Sequence, residues 1–435
     1  MTPTDQRPDG LWRDADFLKF WSAESLSMVG TQISIVAIPL LAVTVLDASP
    51  FQMGVLNASQ FAPFLLFTLL AGVWVDRTRR LPLLIGTNVG RAVLLGAIPL
   101  AVVAGVLNIG LLSVLVFAAA ALTVVFDLAY QSYLPSLVGR DHLVEGNGKL
   151  EGSRSFALLA GPGAAGVLVG ALTAPVAILV DAVSYVVSAV ALLFVRRREP
   201  APAAPTGPRQ SVVAQIGGGV RLLWRNTYLR ALGLEAATYN LFNQMLWAVL
   251  ILYLARELNL HPAVIGVVLT MSGAGALLGS FVSGRLGRRF GLGPTLIWSI
   301  VVANAAPLLI PVAAGGWLLT SVLVGVALLV NGVGLVVYNI QAISLRQASV
   351  SSAVLGRTNA GYRFAVTGTA ALGAVIGGGL GEVIGLRATM VVGALGTLAA
   401  LWFVFRSPIP ALQELSEVTP EDVEPSGVPV TRPAE

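Results

Sequence analysis

Residues 72–80 read Gly72-Val73-Trp74-Val75-Asp76-Arg77-Thr78-Arg79-Arg80, and they separate one long apolar block from the next. One acid and three arginines between two such blocks are typical of a short loop on the cytoplasmic side of a membrane, where basic residues are retained. The same bias runs along the whole chain. If the apolar blocks alternate across a bilayer with the N-terminus inside, all of the 27 Lys and Arg residues except Arg91, Arg256 and Arg387 lie on one face.

The apolar blocks are long enough to cross a membrane, since about 20 apolar residues span the hydrocarbon core. We therefore predict an all-α membrane protein with twelve transmembrane helices. The predicted helices are 17–45, 51–75, 82–106, 110–134, 151–172, 174–195, 229–255, 263–284, 292–314, 317–340, 358–381 and 386–405.

The predicted helices form two groups of six, with longer polar segments outside them. We predict a cytoplasmic N-terminal tail at 1–16, a six-helix bundle at 17–195 and a cytoplasmic linker at 196–228. A second bundle follows at 229–405. The segment 406–435 is rich in Pro and Glu, and such a composition predicts disorder.

The composition excludes several other classes of protein. The chain is 56% hydrophobic and 11% charged, whereas soluble domains carry about 25% charged residues. Its net charge of +5 reflects arginines at membrane edges rather than a nucleic-acid surface. The chain has no Cys, and its two histidines, His142 and His261, fall in predicted loops. We expect no metal site, no catalytic residues and no nucleic-acid partner.

The two halves of the chain resemble each other, which indicates an internal repeat. Phe17-Leu18-Lys19 precedes Glu24 as Tyr228-Leu229-Arg230 precedes Glu235, at an offset of 211 residues. Further along the offset becomes 212, and it relates Phe126-Asp127 to Tyr338-Asn339, Asn147 to Asn359, Gly161 to Gly373 and Gly166 to Gly378. Two parallel six-helix repeats are the plan of many secondary transporters, with the substrate site between the halves.

Two motifs strengthen this interpretation. Residues 72–80 resemble the loop motif between helices 2 and 3 of the major facilitator superfamily, except that Arg79 replaces a glycine. The stretch from Gly161 to Gly166 resembles the Gly-Pro motif of drug/proton antiporters, with Ala165 in place of one glycine. Other stretches, at 126–147, 181–185, 344–347 and 355–360, resemble the branch that contains enterobactin-type siderophore exporters and macrolide-efflux proteins.

The resemblance implies the major facilitator fold, with two pseudo-symmetric bundles and both termini on the cytoplasmic side of the inner membrane. It also implies a monomer that uses a proton gradient and needs no cofactor. The expected partners are the lipid bilayer, protons and a small amphipathic organic substrate.

The resemblance further assigns a cytoplasmic latch and a hinge. The latch residues are Gly72, Asp76, Arg77, Arg80 and Asp127, with Asp76 capping helix 11 and Arg80 pairing with Asp127. The alternative is that these arginines only fix the topology. In helix 5, Gly161, Pro162 and Gly166 form the expected hinge, because proline removes a backbone hydrogen bond. Glycines 166 and 170 of helix 5 are expected to face glycines 275 and 279 of helix 8, and tight static packing is the alternative.

Acids inside the predicted helices are functional candidates, because an ionisable residue at the centre of a bilayer is unfavourable. Glu24 and Glu235 are the first candidates for proton coupling, followed by Asp181 and Asp127. The alternative is that Glu24 and Glu235 lie near the cytoplasmic interface and are merely solvated. We expect Asp181 and Arg91 at the back of the bundle. Arg91 lacks the usual acid three residues before it, where Asn88 stands.

Polar and aromatic residues on helices 1, 4, 7 and 10 are candidates for lining the substrate cavity. The candidates are Thr31, Gln32, Tyr130, Thr238, Tyr239, Phe242, Asn243, Asn331 and Tyr338. Together the features predict a secondary transporter that exports an antibiotic, a macrolide-like drug or a siderophore. An importer or lipid flippase on the same fold, or a non-transporting membrane sensor, remains an alternative, and the substrate itself is not readable.

Overall fold

The computed structural model describes residues 10–139, 142–196, 221, 223–350 and 352–418, and within them the side chains at 69, 73, 76, 144, 352–357, 359 and 360 are excepted. The described residues are almost entirely helical. The long helices are α1 Ala15–Thr44, α2 Pro50–Arg77, α3 Arg80–Val103, α4 Ile109–Val138, α5 Leu143–Ala171, α6 Ala174–Leu193, α7 Thr227–Arg256, α8 Pro262–Phe290, α9 Leu292–Val312, α10 Trp317–Ala348, α11 Ser352–Ile384 and α12 Leu386–Phe405. A 3-10 turn at Ala306–Leu308 interrupts α9, and α12 has a break at Ala400.

Each predicted transmembrane block corresponds to one of these helices. Ten of the described helices are long and apolar enough to cross a membrane. The other two long helices, α2 and α7, also match predicted blocks, and α7 is less apolar because it carries Glu235, Asn240 and Asn243. Prediction placed the start of the fifth helix too late, at 151, because most residues between Glu145 and Lys149 are charged, polar or glycine.

Polar residues fix where several helices begin. The Asp14 carboxylate accepts hydrogen bonds from the backbone N–H groups of Asp16 and Phe17, at 3.0 and 3.1 Å. Asn108 caps α4 through Leu111 N, and Asn226 caps α7 through Leu229 N. Such caps satisfy N–H groups that have no partner within the helix. The helices are therefore defined locally, by caps at their ends and apolar residues between them.

The chain divides into two compact units. The first comprises Met1–Ala48, Ala62–Thr206 and His261–Thr270, and the second comprises Ser49–Phe61, Gly207–Leu260 and Met271–Glu435. The predicted bundles, 17–195 and 229–405, differ from these units at two segments, because the start of α2 packs with the second unit and the start of α8 with the first. Most of the predicted linker, 197–220 and 222, lies outside the described residues.

Helix packing within each unit follows the repeat. In the first unit α1 packs against α5 and α6, and α3 packs against α4 and α6. In the second unit α7 packs against α11 and α12, and α9 packs against α10 and α12. Because helix pairs at the same repeat positions are in contact, the internal repeat that the sequence predicts is present in the packing of both units.

The prediction of a disordered segment from 406 onward is wrong for residues 406–418. Ile409, Leu412 and Val418 are buried in the apolar core of the second unit beside Leu292 and Leu296. Backbone carbonyls of this segment accept hydrogen bonds from the first N–H groups of α9, at 2.8 and 2.9 Å. The composition suggested disorder, but its scattered apolar residues are enough to dock it. Residues 419–435 lie outside the described part of the chain.

Candidate functional site

Four charged residues are buried among those that the structure describes. They are Glu24, Arg91, Asp181 and Glu235, with exposed fractions of 2%, 4%, 1% and 1%. Burial of Glu24 and Glu235 does not fit the alternative in which both are solvated at the interface. Buried charges normally require a partner, so the surroundings of each residue indicate what it does.

Asp181 lies where α6 meets α1. One of its carboxylate oxygens accepts a hydrogen bond from Ser34, and the other accepts one from Ser184 at 3.2 Å. Gly30 allows this close approach, because a methyl group at that position would collide with Ser184 and Asp181. Asp181 is therefore held inside the first unit by hydroxyl groups of two helices.

Arg91 is held by neutral groups rather than by an acid. One guanidinium N–H donates to the Asn88 side-chain oxygen, and Asn88 in turn donates to Ser188 at 3.0 Å. The guanidinium carbon lies 4.1 Å from the centroid of the Phe126 ring and 4.2 Å from that of Tyr185. Arg91 lacks the usual acid three residues before it, and the Asn88 amide at that position binds it instead.

Glu24 shares this region without a direct bond to Arg91. It interacts electrostatically with Arg91 and Asp127, and its Oε1 atom has no hydrogen-bond partner among the described residues. Two of the four proton-coupling candidates, Glu24 and Asp181, thus interact electrostatically with the same buried arginine, and a third, Asp127, interacts with Glu24. Sequence reasoning missed this grouping, although an arginine in the middle of an apolar block was the signal for it.

Cavity candidates of the first unit are mostly engaged with neighbouring helices. The hydroxyl of Thr31 lies 2.7 Å from that of Tyr185 on α6. Gln32 packs against Gly161 of α5. The Tyr130 ring stacks with the rings of Phe20 and Phe126. Its centroid lies 5.7 Å from that of Phe20 and 6.3 Å from that of Phe126.

Glu235 has a simpler environment in the second unit. The Tyr338 hydroxyl donates a hydrogen bond to its Oε2 atom, while Oε1 has no hydrogen-bond partner among the described residues. No basic side chain of the described residues lies within ion-pair distance of Glu235. Nearby, the guanidinium of Arg346 lies 4.1 Å from the centroid of the Tyr362 ring.

The other candidates of the second unit divide between two places. Tyr239 donates to Asn243 at 3.4 Å and interacts with Asn331, which itself donates to the Ala303 carbonyl at 2.8 Å. The ring of Phe242 packs against Gly396 of α12. Thr238 is half-buried on α7.

The predicted latch is described in part. The Asp76 side chain lies outside the described residues. Arg77 is exposed at the end of α2, Arg80 is half-buried at the start of α3, and Asp127 is half-buried in α4. At Gly72 a methyl group would meet open space. The latch stays a prediction.

Gly166 of the predicted hinge lies where α5 crosses α8. A methyl group on Gly166 would lie 2.6 Å from the Cα atom of Gly266 in α8 and 2.7 Å from the Pro262 carbonyl oxygen. The α8 residue at this crossing is therefore Gly266, whereas the expected Gly275 and Gly279 pack against α10 instead. Helix α5 continues through Pro162 to Ala171, and its hinge role stays a prediction.

A matching crossing lies in the second unit. A methyl group on Gly378 of α11 would lie 2.7 Å from the Cα atom of Gly54 in α2 and 2.7 Å from the Pro50 carbonyl oxygen. All four positions are related by the 212-residue offset, since Gly54 corresponds to Gly266 and Gly166 to Gly378. Small residues let helix backbones approach closely. The repeat therefore preserves two equivalent contacts.

Comparisons with known proteins agree with this architecture over nearly the full length. The multidrug efflux pump Tap of Mycobacterium tuberculosis is 26% identical over 417 residues, which cover 92% of this chain and 95% of Tap. YfiS of Bacillus subtilis, an uncharacterized transporter of the major facilitator type, is 26% identical over 381 residues. The aligned residues cover 85% of this chain and 88% of YfiS.

A solved structure shows the same fold. The bacterial homologue of the iron transporter ferroportin, crystallised in an inward-facing state, aligns with a TM-score of 0.71 at 20% identity. The alignment covers 91% of this chain and 99% of that one.

Repeated six-helix packing, apolar helices of membrane-spanning length and this likeness define a multi-pass membrane transporter of the major facilitator superfamily rather than an enzyme. Within the superfamily, the chain belongs to the family described as transmembrane secretion effector, whose profile matches residues 11–429. Transport of a small molecule follows from this membership. No group of three or more His, Cys, Asp or Glu residues that could hold a metal ion is found in the part of the chain that the structure describes.

Proposed function

We propose that this transporter is an exporter that exchanges a small amphipathic organic molecule for protons across the cytoplasmic membrane. The substrate class is an antibiotic, a macrolide-like drug or a siderophore. Similarity to Tap over 92% of the chain supports the direction of transport and the substrate class.

The observation that carries the proton coupling is the burial of Glu24 and Glu235 at matching positions of the repeat, each with one oxygen that has no hydrogen-bond partner among the described residues. A low-dielectric site favours the neutral form of a carboxyl group. An acid of this kind takes up a proton when it is accessible from one side of the membrane and releases it on the other. Such a cycle couples proton entry to substrate exit.

We place both termini in the cytoplasm, because the basic residues of the chain fall almost entirely on the corresponding face. In this orientation the motif at 72–80 faces the cytoplasm, and Asp76 and Arg80 are the central residues of the proposed latch. We also propose that the chain works as a monomer and uses the proton gradient without a cofactor.

The test is accumulation of a panel of amphipathic antibiotics and dyes in pump-deficient bacterial cells that express the chain. We expect lower accumulation, which a protonophore abolishes. Glu24→Gln and Glu235→Gln should each reduce efflux at least tenfold at equal membrane expression. The matched control is Glu257→Gln at the exposed end of α7, which should keep full efflux. Efflux that persists in both variants would contradict proton coupling through these acids.

The latch has its own test. Asp76→Asn removes one charge while nearly preserving shape, so the variant should insert normally and lose most of its efflux. Unchanged efflux in this variant would leave residues 72–80 with a role in topology alone.

A further inference from the structure

The start of α2 is joined to α11 by a side chain as well as by packing. The Glu382 carboxylate, near the end of α11, accepts a hydrogen bond from the Phe51 backbone N–H in the first turn of α2, at 3.2 Å. Both residues are exposed. A carboxylate is favourable at the N-terminus of a helix, where backbone N–H groups have no partner within the helix. The bond therefore stabilises the contact between two helices that are far apart in the sequence.

Helix α2 has a cap of its own beside this bond. The Gln52 side chain accepts a hydrogen bond from the Ser49 backbone N–H at 2.9 Å, and the Ser49 hydroxyl accepts one from the Gln52 backbone N–H at 3.4 Å. Such a reciprocal pair fixes the start of a helix locally. The bond from Phe51 to Glu382 is thus an additional one, and α2 should stay helical without it.

The bond holds a part of α2 that belongs to the second unit. Residues Ser49–Phe61 belong to that unit, whereas the rest of α2 belongs to the first. Beneath the bond, Gly378 and Gly381 of α11 lie against Pro50. Small residues allow this close approach, but such contacts carry no directional bond. Glu382 adds that bond where α2 enters the second unit.

The equivalent crossing of α5 and α8 shares the glycine contacts but differs beside them. The 212-residue offset relates Glu382 to Gly170, where a methyl group would lie 2.8 Å from a ring carbon of His261. A longer side chain at Gly170 would displace that ring. Ala263, which corresponds to Phe51, donates its backbone N–H to the His261 ring at 3.3 Å. Helix α8 therefore caps its own first turn, whereas the first turn of α2 is also bound by another helix.

We propose that Glu382 is a positioning residue that latches α2 to α11, and that loss of its bond shifts the protein toward a state in which both glycine crossings are open. A transporter whose site faces the two sides of the membrane in turn has to open and close contacts of this kind. The inference deepens the proposed function and rests on it for its role in transport. Asp76 of the proposed cytoplasmic latch lies at the opposite end of α2.

Thiol labelling of the purified protein tests the proposal without a substrate, because the chain has no Cys of its own. Met53→Cys places a thiol at a buried position near the start of α2, and Ile265→Cys places one at the equivalent buried position of α8. Either thiol reacts with a bulky maleimide when the packing around it opens. We expect Glu382→Ala to raise the labelling rate of both thiols about threefold, since a carboxylate at a helix N-terminus has an effect of this size.

Two further variants are the controls. Glu382→Gln keeps an oxygen that accepts a bond from the Phe51 N–H, so it should raise the rates less than Glu382→Ala does. Glu257→Ala removes another exposed acid, at the end of α7, and should leave both rates unchanged. Thermal unfolding of all three variants should stay close to that of the unchanged protein, because both acids are exposed and α2 keeps its own cap.

Unchanged labelling of both thiols in Glu382→Ala would overturn the latch. Faster labelling of Met53→Cys alone would overturn it as well, because the bond would then hold only the first turn of α2. An equal increase in Glu257→Ala would do the same, because the effect would not depend on the bond to Phe51. These rates need neither substrate nor proton gradient, so a failure here is distinguishable from a failure of proton-driven export in the efflux assay.

Discussion

Glu24 and Glu235 occupy the same position in the two repeats, yet their surroundings differ. Glu24 interacts electrostatically with a buried arginine that also interacts with a second buried acid, Asp181, whereas Glu235 accepts one hydrogen bond from Tyr338. By the 212-residue offset, Asp181 corresponds to Gly393, and by either offset Arg91 corresponds to an apolar residue, Val302 or Ala303.

The comparison shows which features the repeat preserves. Helix packing and the glycine crossings are the same in both units, whereas the buried charges are not. Packing positions are fixed by backbone geometry, so a change there is destabilising in either unit. The charges near the two acids differ, so Glu24 and Glu235 lie in different electrostatic surroundings although the helices that carry them pack in the same way.

Arg91→Met should give the largest effect on stability. The variant removes the hydrogen bond to Asn88 and the contacts with the Phe126 and Tyr185 rings, so we expect a loss of about 3 kcal/mol in the free energy of unfolding. Arg346→Met is the matched control in the second unit, because Arg346 is half-buried and rests on one tyrosine ring. The control should lose about 1 kcal/mol.

Thermal and denaturant unfolding of the purified proteins in detergent measures both losses. Equal stability of Arg91→Met and the unchanged protein would contradict the view that the contacts of this arginine stabilise the first unit.

The glycine crossings should respond equally in the two units. Gly378→Ala places a methyl group against Gly54, and Gly166→Ala places one against Gly266, so each should lose about 2 kcal/mol through overpacking. Gly379→Ala, one residue further along α11, would meet open space and should be neutral. The same unfolding measurement applies. A large difference between Gly166→Ala and Gly378→Ala would show that the two crossings are not equivalent.

Variants of two tyrosines, Tyr338 and Tyr185, compare a hydrogen bond to a buried acid with a hydrogen bond to a hydroxyl group. Tyr338→Phe removes the hydrogen bond to the buried Glu235, and a buried polar group that loses its partner costs about 2 kcal/mol. Tyr185→Phe removes only the bond to the neutral Thr31 hydroxyl, which contributes about 1 kcal/mol or less. A greater loss for Tyr185→Phe would show that Tyr338 does not support Glu235 as described.

The helical content and the repeat were predictable from sequence, because their signals lie within short stretches of the chain. These signals are the apolar blocks, the basic residues at membrane edges and the repeated motifs. The grouping of Glu24, Arg91 and Asp181 was not, since it depends on how α1, α3 and α6 pack. Likewise, Thr31 and Phe242 look equally suited to line a cavity, yet Thr31 bonds to Tyr185 and the Phe242 ring packs on Gly396 of α12. Docking of Ile409 and Leu412 also needed the structure, because composition alone predicted disorder there.

The most direct test of the account measures proton and substrate movement together. Purified protein in liposomes, with a pH-sensitive dye inside and a substrate found in the efflux assay, should move protons only while the substrate moves in the opposite direction. The account predicts that a pH gradient drives substrate accumulation, and that Glu24→Gln and Glu235→Gln abolish it. Substrate movement that is unaffected when the gradient is collapsed would contradict proton-driven export.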